Sequence, residues 1–360
     1  MKYFVDRAAP RPAYWQLYEQ LRRDIVSGLL PYGTRLPSKR LLAEETGVSV
    51  ITAEHAYAAL CDEGYLEARQ RSGFFVVYRA CDFTDTAAQP PERRAPQPQR
   101  AERGAFPYSV LARTVRRVLQ DYGARILVKS PNCGCPELRA ELAAYLARSC
   151  GVVARPEQIV IGSGAEQLYS LIAQLFGTER VFALEEPSYE KIRQVYRAHG
   201  VRCELLPLEA NGVSGAALAA SKAGVLHVTP FNSYPSGVTA DASKRQEYLR
   251  WAEARGGYLV EDNYDSELTV SRKWEETLFS LSPSGRVLYL NTFSQTIAPS
   301  LRAGYLVLPE GLLERFTQTL GFYSCTVPVL DQYVLCELLR SGDFERHVNR
   351  VRRARRRNAE

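Results

Sequence analysis

The residues best placed to do chemistry fall in four short stretches. In "EDNYD", Asp262 and Tyr264 stand two apart at the end of a β-rich run, so both project to one side. A carboxyl group at a strand end in a cleft requires a partner. In "IGSGAEQ", Ser163, Gly164 and Ala165 precede a helical pattern, where amides and the helix dipole suit a phosphate; the same turn is also a common strand-to-helix connection. "NTFSQTIAPSLRAGY" adds the hydroxyls of Thr292 and Ser294 and the Arg302 guanidinium, whose fork matches phosphate oxygens. Tyr189 in "EEPSYEKI" offers an aromatic face, for stacking or for packing. Between the hydroxyls and the arginine lies Gln295. Its amide forms hydrogen bonds, yet it neither attacks a carbonyl nor takes up a proton near neutral pH.

These residues need a scaffold. From about residue 106, helical patterns alternate with short runs such as "QIVIGSG", "RVFALEEP", "GVLHVTP", "GYLVEDNYD" and "RVLYLNTF". The alternation predicts an α/β domain with a mostly parallel sheet, whose ligands sit at the carboxyl ends of the strands. Residues 1–78 read differently. Tyr14, Tyr18, Leu21, Ile25 and Leu29 form one helical stripe. Ser38 caps a second helix carrying Leu41 and Leu42 and ending at Gly47, and Ser49 caps a third. The "TGVS" turn makes a helix-turn-helix, and "YLEARQRSGFFVVY" reads as a two-stranded wing. Residues 79–105 are rich in Pro, Gln, Arg and Ala, which predicts an extended linker.

"LPSKRLLAEETGVSVITAEHAYAALCDEGYL…RSGFFV" resembles the winged helix-turn-helix of GntR-family bacterial regulators. The motifs of residues 106–360 occur in the order found in fold-type-I aminotransferases. Together the two halves resemble MocR/GabR-type transcription regulators. The resemblance implies a double-stranded DNA operator, read by Ser49, Thr52 and Glu54, with Ser38, Lys39 and Arg40 on phosphates and Arg69 and Arg71 in the wing. Val50 stands where the family usually has Arg. The resemblance also implies a site for pyridoxal 5'-phosphate (PLP). Asp262 would face its pyridine nitrogen, Tyr264 and Asn232 its phenolate oxygen, and Tyr189 its ring. Ser163, Gly164, Ala165, Thr292, Ser294 and Arg302 would hold its phosphate.

The Schiff-base lysine of that family lies seven positions before the phosphate arginine, which is Gln295 here. None of the seven lysines (Lys2, Lys39, Lys129, Lys191, Lys222, Lys244 and Lys273) takes its motif position. The expectation is a non-enzymatic homodimeric regulator that senses PLP or a PLP–amino acid adduct non-covalently. An active aminotransferase and a DNA-binding relic with an empty pocket are the alternatives. Family members continue past the Arg-rich terminal segment, so the small domain is expected to be incomplete and to expose apolar surface around Phe316–Leu339.

Composition bounds the rest. Hydrophobic residues make up 46% and charged residues 24%, as in ordinary globular proteins. The start shows no signal-peptide pattern, no apolar run reaches membrane length, and the eight cysteines lack metal-site spacing, so the expectation is a cytoplasmic chain without a metal. Of the net +6, residues 340–360 supply +5, from eight arginines against three acids. The first block is nearly neutral, with ten basic and nine acidic residues, so its DNA reading rests on pattern rather than on charge.

Overall fold

Leu17, Tyr18, Leu21 and Ile25 are all buried, and their shared face draws Ala13–Val26 into α1. The computed structural model describes residues 3–6, 9, 11–69, 72–79, 106–269, 276–282 and 284–359. The chain forms two compact units, residues 1–98 and 99–360.

In the first unit, α1 stops at Val26, and Gly28 turns the chain with φ of 79°. That turn changes which leucine points inward: Leu30 is buried, whereas Leu29, expected on the helical stripe, is 68% exposed. Ser38 caps α2 (Lys39–Thr46) by accepting the Leu41 N–H at 3.2 Å, and Gly47 ends it in the left-handed region at φ 69°. Leu42 and Ala43 face the core, and Leu41 is turned outward. Ser49 caps α3 (Val50–Asp62), accepting the Thr52 N–H at 3.0 Å. The wing is an antiparallel pair, β1 (Leu66–Arg69) and β2 (Gly73–Val76). Leu17, Leu21, Leu42, Ala53, Ala56, Tyr57 and Leu60 fill the core, each large side chain contributing roughly 2 kcal/mol by burial. Ser49→Ala should cost this unit about 1 kcal/mol in denaturant titration, because the first turn of α3 loses its cap.

The second unit runs α4 (Tyr108–Tyr122), α5 (Pro136–Ser149), β3 (Ile159–Gly162), α6 (Ala165–Phe176), β4 (Phe182–Glu186), α7 (Glu190–Ala198), β5 (Cys203–Glu209), β6 (Gly212–Val213), α8 (Gly215–Ala220), β7 (Val225–Val228), α9 (Ala242–Arg255) and β8 (Tyr258–Asp262). It continues through α10 (Leu278–Leu281), β9 (Val287–Thr292), β10 (Gly304–Val307), α11 (Glu310–Leu320), α12 (Val329–Arg340) and α13 (Asp343–Ala359). The sheet order is β3-β10-β9-β8-β7-β4-β5-β6. Strands β9, β8, β7, β4 and β5 are mutually parallel, and β10 and β6 pair antiparallel with their neighbours. Every residue of β3, β7 and β9 is buried, as expected of strands covered by helices on both faces. The parallel arrangement puts the ends of β4, β7, β8 and β9 on one edge, where the candidate residues lie.

Two expectations need amendment or fall outside this description. The helices around Phe316–Leu339 are mostly sealed: Phe316, Leu320, Val334, Leu335, Leu338 and Leu339 are buried against the sheet and against α4 and α5. Only Phe322 and Tyr323, in the turn between α11 and α12, stand out as exposed large apolar residues there. The linker over 80–105, and Arg71 in the wing turn, lie outside the described residues.

Three buried acids give the second unit a pH signature. Burial pushes Glu185 up from 4.5 to about 8, against the lowering effect of hydrogen bonds from Ser233 and the Thr229 backbone. Glu261 and Glu267 are pushed up to about 7 by burial as well. A carboxyl whose folded pKa is raised stabilises the fold fully below its unfolded value. That contribution is lost as pH rises through the folded value. Denaturant stability should therefore fall from about pH 4.5 to about pH 8. Glu185→Gln should flatten the upper part of this fall and exceed the wild type by on the order of 1–3 kcal/mol at about pH 9.

Candidate functional site

Asp262 ends β8 and is 2% exposed. Its Oδ2 accepts the Tyr169 hydroxyl of α6 at 2.5 Å and lies 3.5 Å from His227 Nε2 on β7. Its Oδ1 is buried and, among the described residues, has no hydrogen-bond partner. His227 Nδ1 shares a 2.7 Å hydrogen bond with the Tyr196 hydroxyl of α7. Burial first, and the Asp262 charge second, hold the Tyr169 and Tyr196 hydroxyls well above their ordinary pKa, so both stay protonated. Asp262 is thus fixed from one side, with one oxygen left over.

The glycine turn between β3 and α6 brings the second group together. Gly164 has φ of 90°, a left-handed conformation that favours glycine, and a Cβ built there would lie 2.7 Å from Arg302 Nη2, so a side chain would push the guanidinium from its present place. Arg302 donates to the Glu166 carboxylate, which also accepts from Lys191 Nζ at 3.2 Å. Burial raises the Glu166 pKa, but its own backbone N–H, Arg302 and Lys191 outweigh this and bring it below the ordinary value. The Ser163 N–H donates to Gln167 Oε1 at 3.2 Å, and Ala165 begins α6. Thr292 is buried at the end of β9 and Ser294 is half-buried; among the described residues neither hydroxyl has a hydrogen-bond partner. Gln295 is exposed in the same β9–β10 connection, and its amide makes no hydrogen bond among the described residues.

Tyr189 precedes α7 and is half-buried, edge-on to Tyr234 with ring centroids 6.2 Å apart. Tyr264 donates to the Asn232 carbonyl at 3.3 Å. Burial, then the charges of Asp265 and Asp262 and the neighbouring Tyr234, raise its pKa. Helix α6 links the groups, since Glu166 in its first turn holds Arg302 and Tyr169, three residues on, holds Asp262. Asn232 departs from the expectation of a free donor. Its backbone is left-handed at φ 54°, and its amide donates to Asp265 at 3.0 Å. Asp265 in turn takes Arg355 of α13 at 3.0 Å, so the Asn232 side chain braces its loop.

Sequence reasoning passed over Glu166, Tyr169, His227, Asp265 and Arg355. Only His227 carried a local signal, as a lone imidazole within an apolar strand run; the partners of the others come from distant segments.

In the first unit, Ser38, Arg40, Ser49, Glu54 and Arg69 are exposed, and Thr52 is half-buried with its hydroxyl 2.8 Å from that of Ser49. Lys39 and Glu54, expected to reach DNA separately, pair with each other at 2.5 Å. An exposed pair of this kind is worth little and can open. Arg69 hydrogen-bonds Glu67 at 2.8 Å and lies over the Phe75 ring. The start of α3 also exposes Val50 and Ile51. Among the described residues there is no metal-ligating cluster, and no helix is long and apolar enough to cross a membrane.

Comparison with known proteins places both units. Residues 13–76 match the family of bacterial regulatory proteins, gntR family, and residues 104–360 match aminotransferase class I and II. The chain is 32% identical to the probable rhizopine catabolism regulatory protein MocR of Rhizobium meliloti, over 97% of this chain and 76% of that one. It is 31% identical to the pyridoxine biosynthesis regulator PdxR of Corynebacterium glutamicum, over 94% of this chain and 75% of that one. The α-aminoadipate aminotransferase LysN of Thermus thermophilus, solved with N-(5'-phosphopyridoxyl)-L-leucine, superposes with TM-score 0.63 at 30% identity, over 72% of this chain and 67% of that one. The chain spans less of some other solved aminotransferases, 63% in one case and 65% in another. The fold is that of fold-type-I aminotransferases, and the relatives that span both units are named as transcriptional regulators. With a GntR-type winged helix preceding an aminotransferase class I and II domain, the chain belongs to the MocR-type transcription regulators.

Proposed function

We propose that this regulator binds an operator through its winged helix and senses PLP, or a PLP–amino acid adduct, in the aminotransferase-like domain without a covalent bond to the protein. The observation that carries this reading is the Asp262 carboxyl, buried, anchored through Oδ2 and left with an unpartnered Oδ1. A buried polar atom without a partner is costly, and a protonated ring nitrogen is the group that would satisfy it. The Gly164 turn, which a Cβ would fill, also fits the phosphate end of the same ligand.

When bound, PLP supplies an electron-withdrawing pyridinium and an aldehyde that can carry an amine. Asp262 would hold the proton on the ring nitrogen, with Tyr169 and His227 fixing the carboxyl. Tyr264 would donate to the phenolate oxygen, and Tyr189 would cover the ring. Ser163, Gly164, Ala165, Thr292, Ser294 and Arg302 would take the phosphate. Gln295 would approach the aldehyde end as a neutral amide, so no proton is removed from a substrate and the domain reads its ligand without turning it over. Ligand and DNA are coupled only if the ligand binds the DNA-competent and DNA-incompetent states unequally. A homodimer is the expected assembly, as in the family the sequence resembles.

The test combines two measurements on the full chain: thermal stabilisation by PLP, and retention of DNA selected from a random-sequence pool, with and without PLP. Stabilisation together with altered retention supports the reading. DNA retention with no response to PLP supports the relic with an empty pocket.

A further inference from the structure

The Glu166 carboxylate occupies ground that the phosphate reading reserves for an anion. It lies in the first turn of α6, two residues after the Gly164 turn, accepts its own backbone N–H, and is held by the Arg302 guanidinium and the Lys191 ammonium. A helix-start amide and two cations form the donor set that a phosphate monoester requires. Arg302 reaches Glu166 across the Gly164 turn, where a Cβ would meet its guanidinium at 2.7 Å, so a phosphate seated in that turn and Glu166 address the same guanidinium.

From these contacts we infer that Glu166 is an internal competitor for the phosphate group of the ligand. A dianion entering the Gly164 turn meets a carboxylate already paired with Arg302, and like charges within a few ångströms repel. Glu166 must swing out of the turn before the phosphate gains the arginine. Its side chain is 31% exposed, so solvent is open to it. The exchange also breaks the link to Lys191 on α7, the helix that begins beside Tyr189. Glu166 therefore sets the ligand concentration at which the domain responds, and it couples phosphate arrival to the α6–α7 contact. This inference rests on the PLP reading above and adds a residue that discriminates by phosphate.

The test uses ligands that differ only in the phosphate and cannot attach to lysines: pyridoxine 5'-phosphate and pyridoxine, each by equilibrium dialysis against the full chain. Glu166→Gln keeps size and shape while removing the charge, and circular dichroism checks its fold. The expected result is about tenfold tighter binding of the phosphorylated ligand, with pyridoxine changed by less than about twofold. Glu166→Ala should behave in the same way, which separates charge removal from any special property of glutamine. Equal or weaker binding of pyridoxine 5'-phosphate by both variants overturns the inference, because Glu166 would then only support Arg302. Equal tightening of both ligands overturns it as well. If neither the wild type nor either variant binds the phosphorylated ligand, the PLP reading fails together with the inference. Wild-type binding left unchanged by both variants removes the inference alone.

Discussion

Gln295→Lys is expected to turn the proposed non-covalent holding of PLP into covalent capture. The introduced amine stands in the β9–β10 connection beside Ser294, on an exposed position free of other hydrogen bonds among the described residues, so no packing opposes its reach. It would condense with the aldehyde, releasing water, and borohydride would fix the bond. The variant should be yellow before reduction, and mass measurement after it should show near-stoichiometric addition of one pyridoxyl phosphate to the variant and no stoichiometric addition to the wild type. The energetic basis is large: condensation adds a covalent bond to contacts that are otherwise the same, whereas an amide has no nucleophilic pair to offer. Stoichiometric labelling of a lysine in the wild type would overturn the assignment of Gln295 as the residue at the aldehyde. It would also return the enzymatic alternative to consideration.

Asp262→Asn is expected to have the next largest effect. The substitution preserves shape but removes the charge that a pyridinium requires. PLP stabilisation measured by thermal shift should shrink to near the noise, with affinity falling by on the order of 100-fold, since hydrogen bonds between charged groups are worth about 1.5–3 kcal/mol. Asp262→Ala goes further. It leaves the buried Tyr169 hydroxyl without its partner and removes the neighbour of His227 Nε2, so stability without ligand should drop by about 2–3 kcal/mol. Undiminished PLP stabilisation in the Asp262→Asn variant would sink the pyridine assignment.

Much of this protein was legible in its sequence. Ser38, Gly47 and Ser49 mark helix ends because caps act within three or four residues, and the structure has those caps. The alternation of helical patterns with apolar runs fixed the α/β class, because strands covered on both faces must be apolar throughout. Asp262 was legible as a strand end, and β8 ends there. That a glutamine, Gln295, stands seven positions before Arg302 is a matter of residue type and needed no coordinates.

The tertiary structure decided what depends on distant segments. The inward leucine after α1 is Leu30 rather than Leu29, because a glycine turn reset the register. Lys39 and Glu54 pair with each other, and Asn232 is engaged by Asp265 and, through it, by Arg355 some ninety residues away. The apolar faces of α11 and α12 proved to be covered. Glu166 read as an ordinary first-turn acid until Arg302, 136 positions later, was brought against it. Local rules act over a helical turn or a strand step, so composition and spacing can reveal elements and motifs. Which charged group meets which is set by the packing of whole elements, and in this chain that packing placed an acid where an anion was expected to bind.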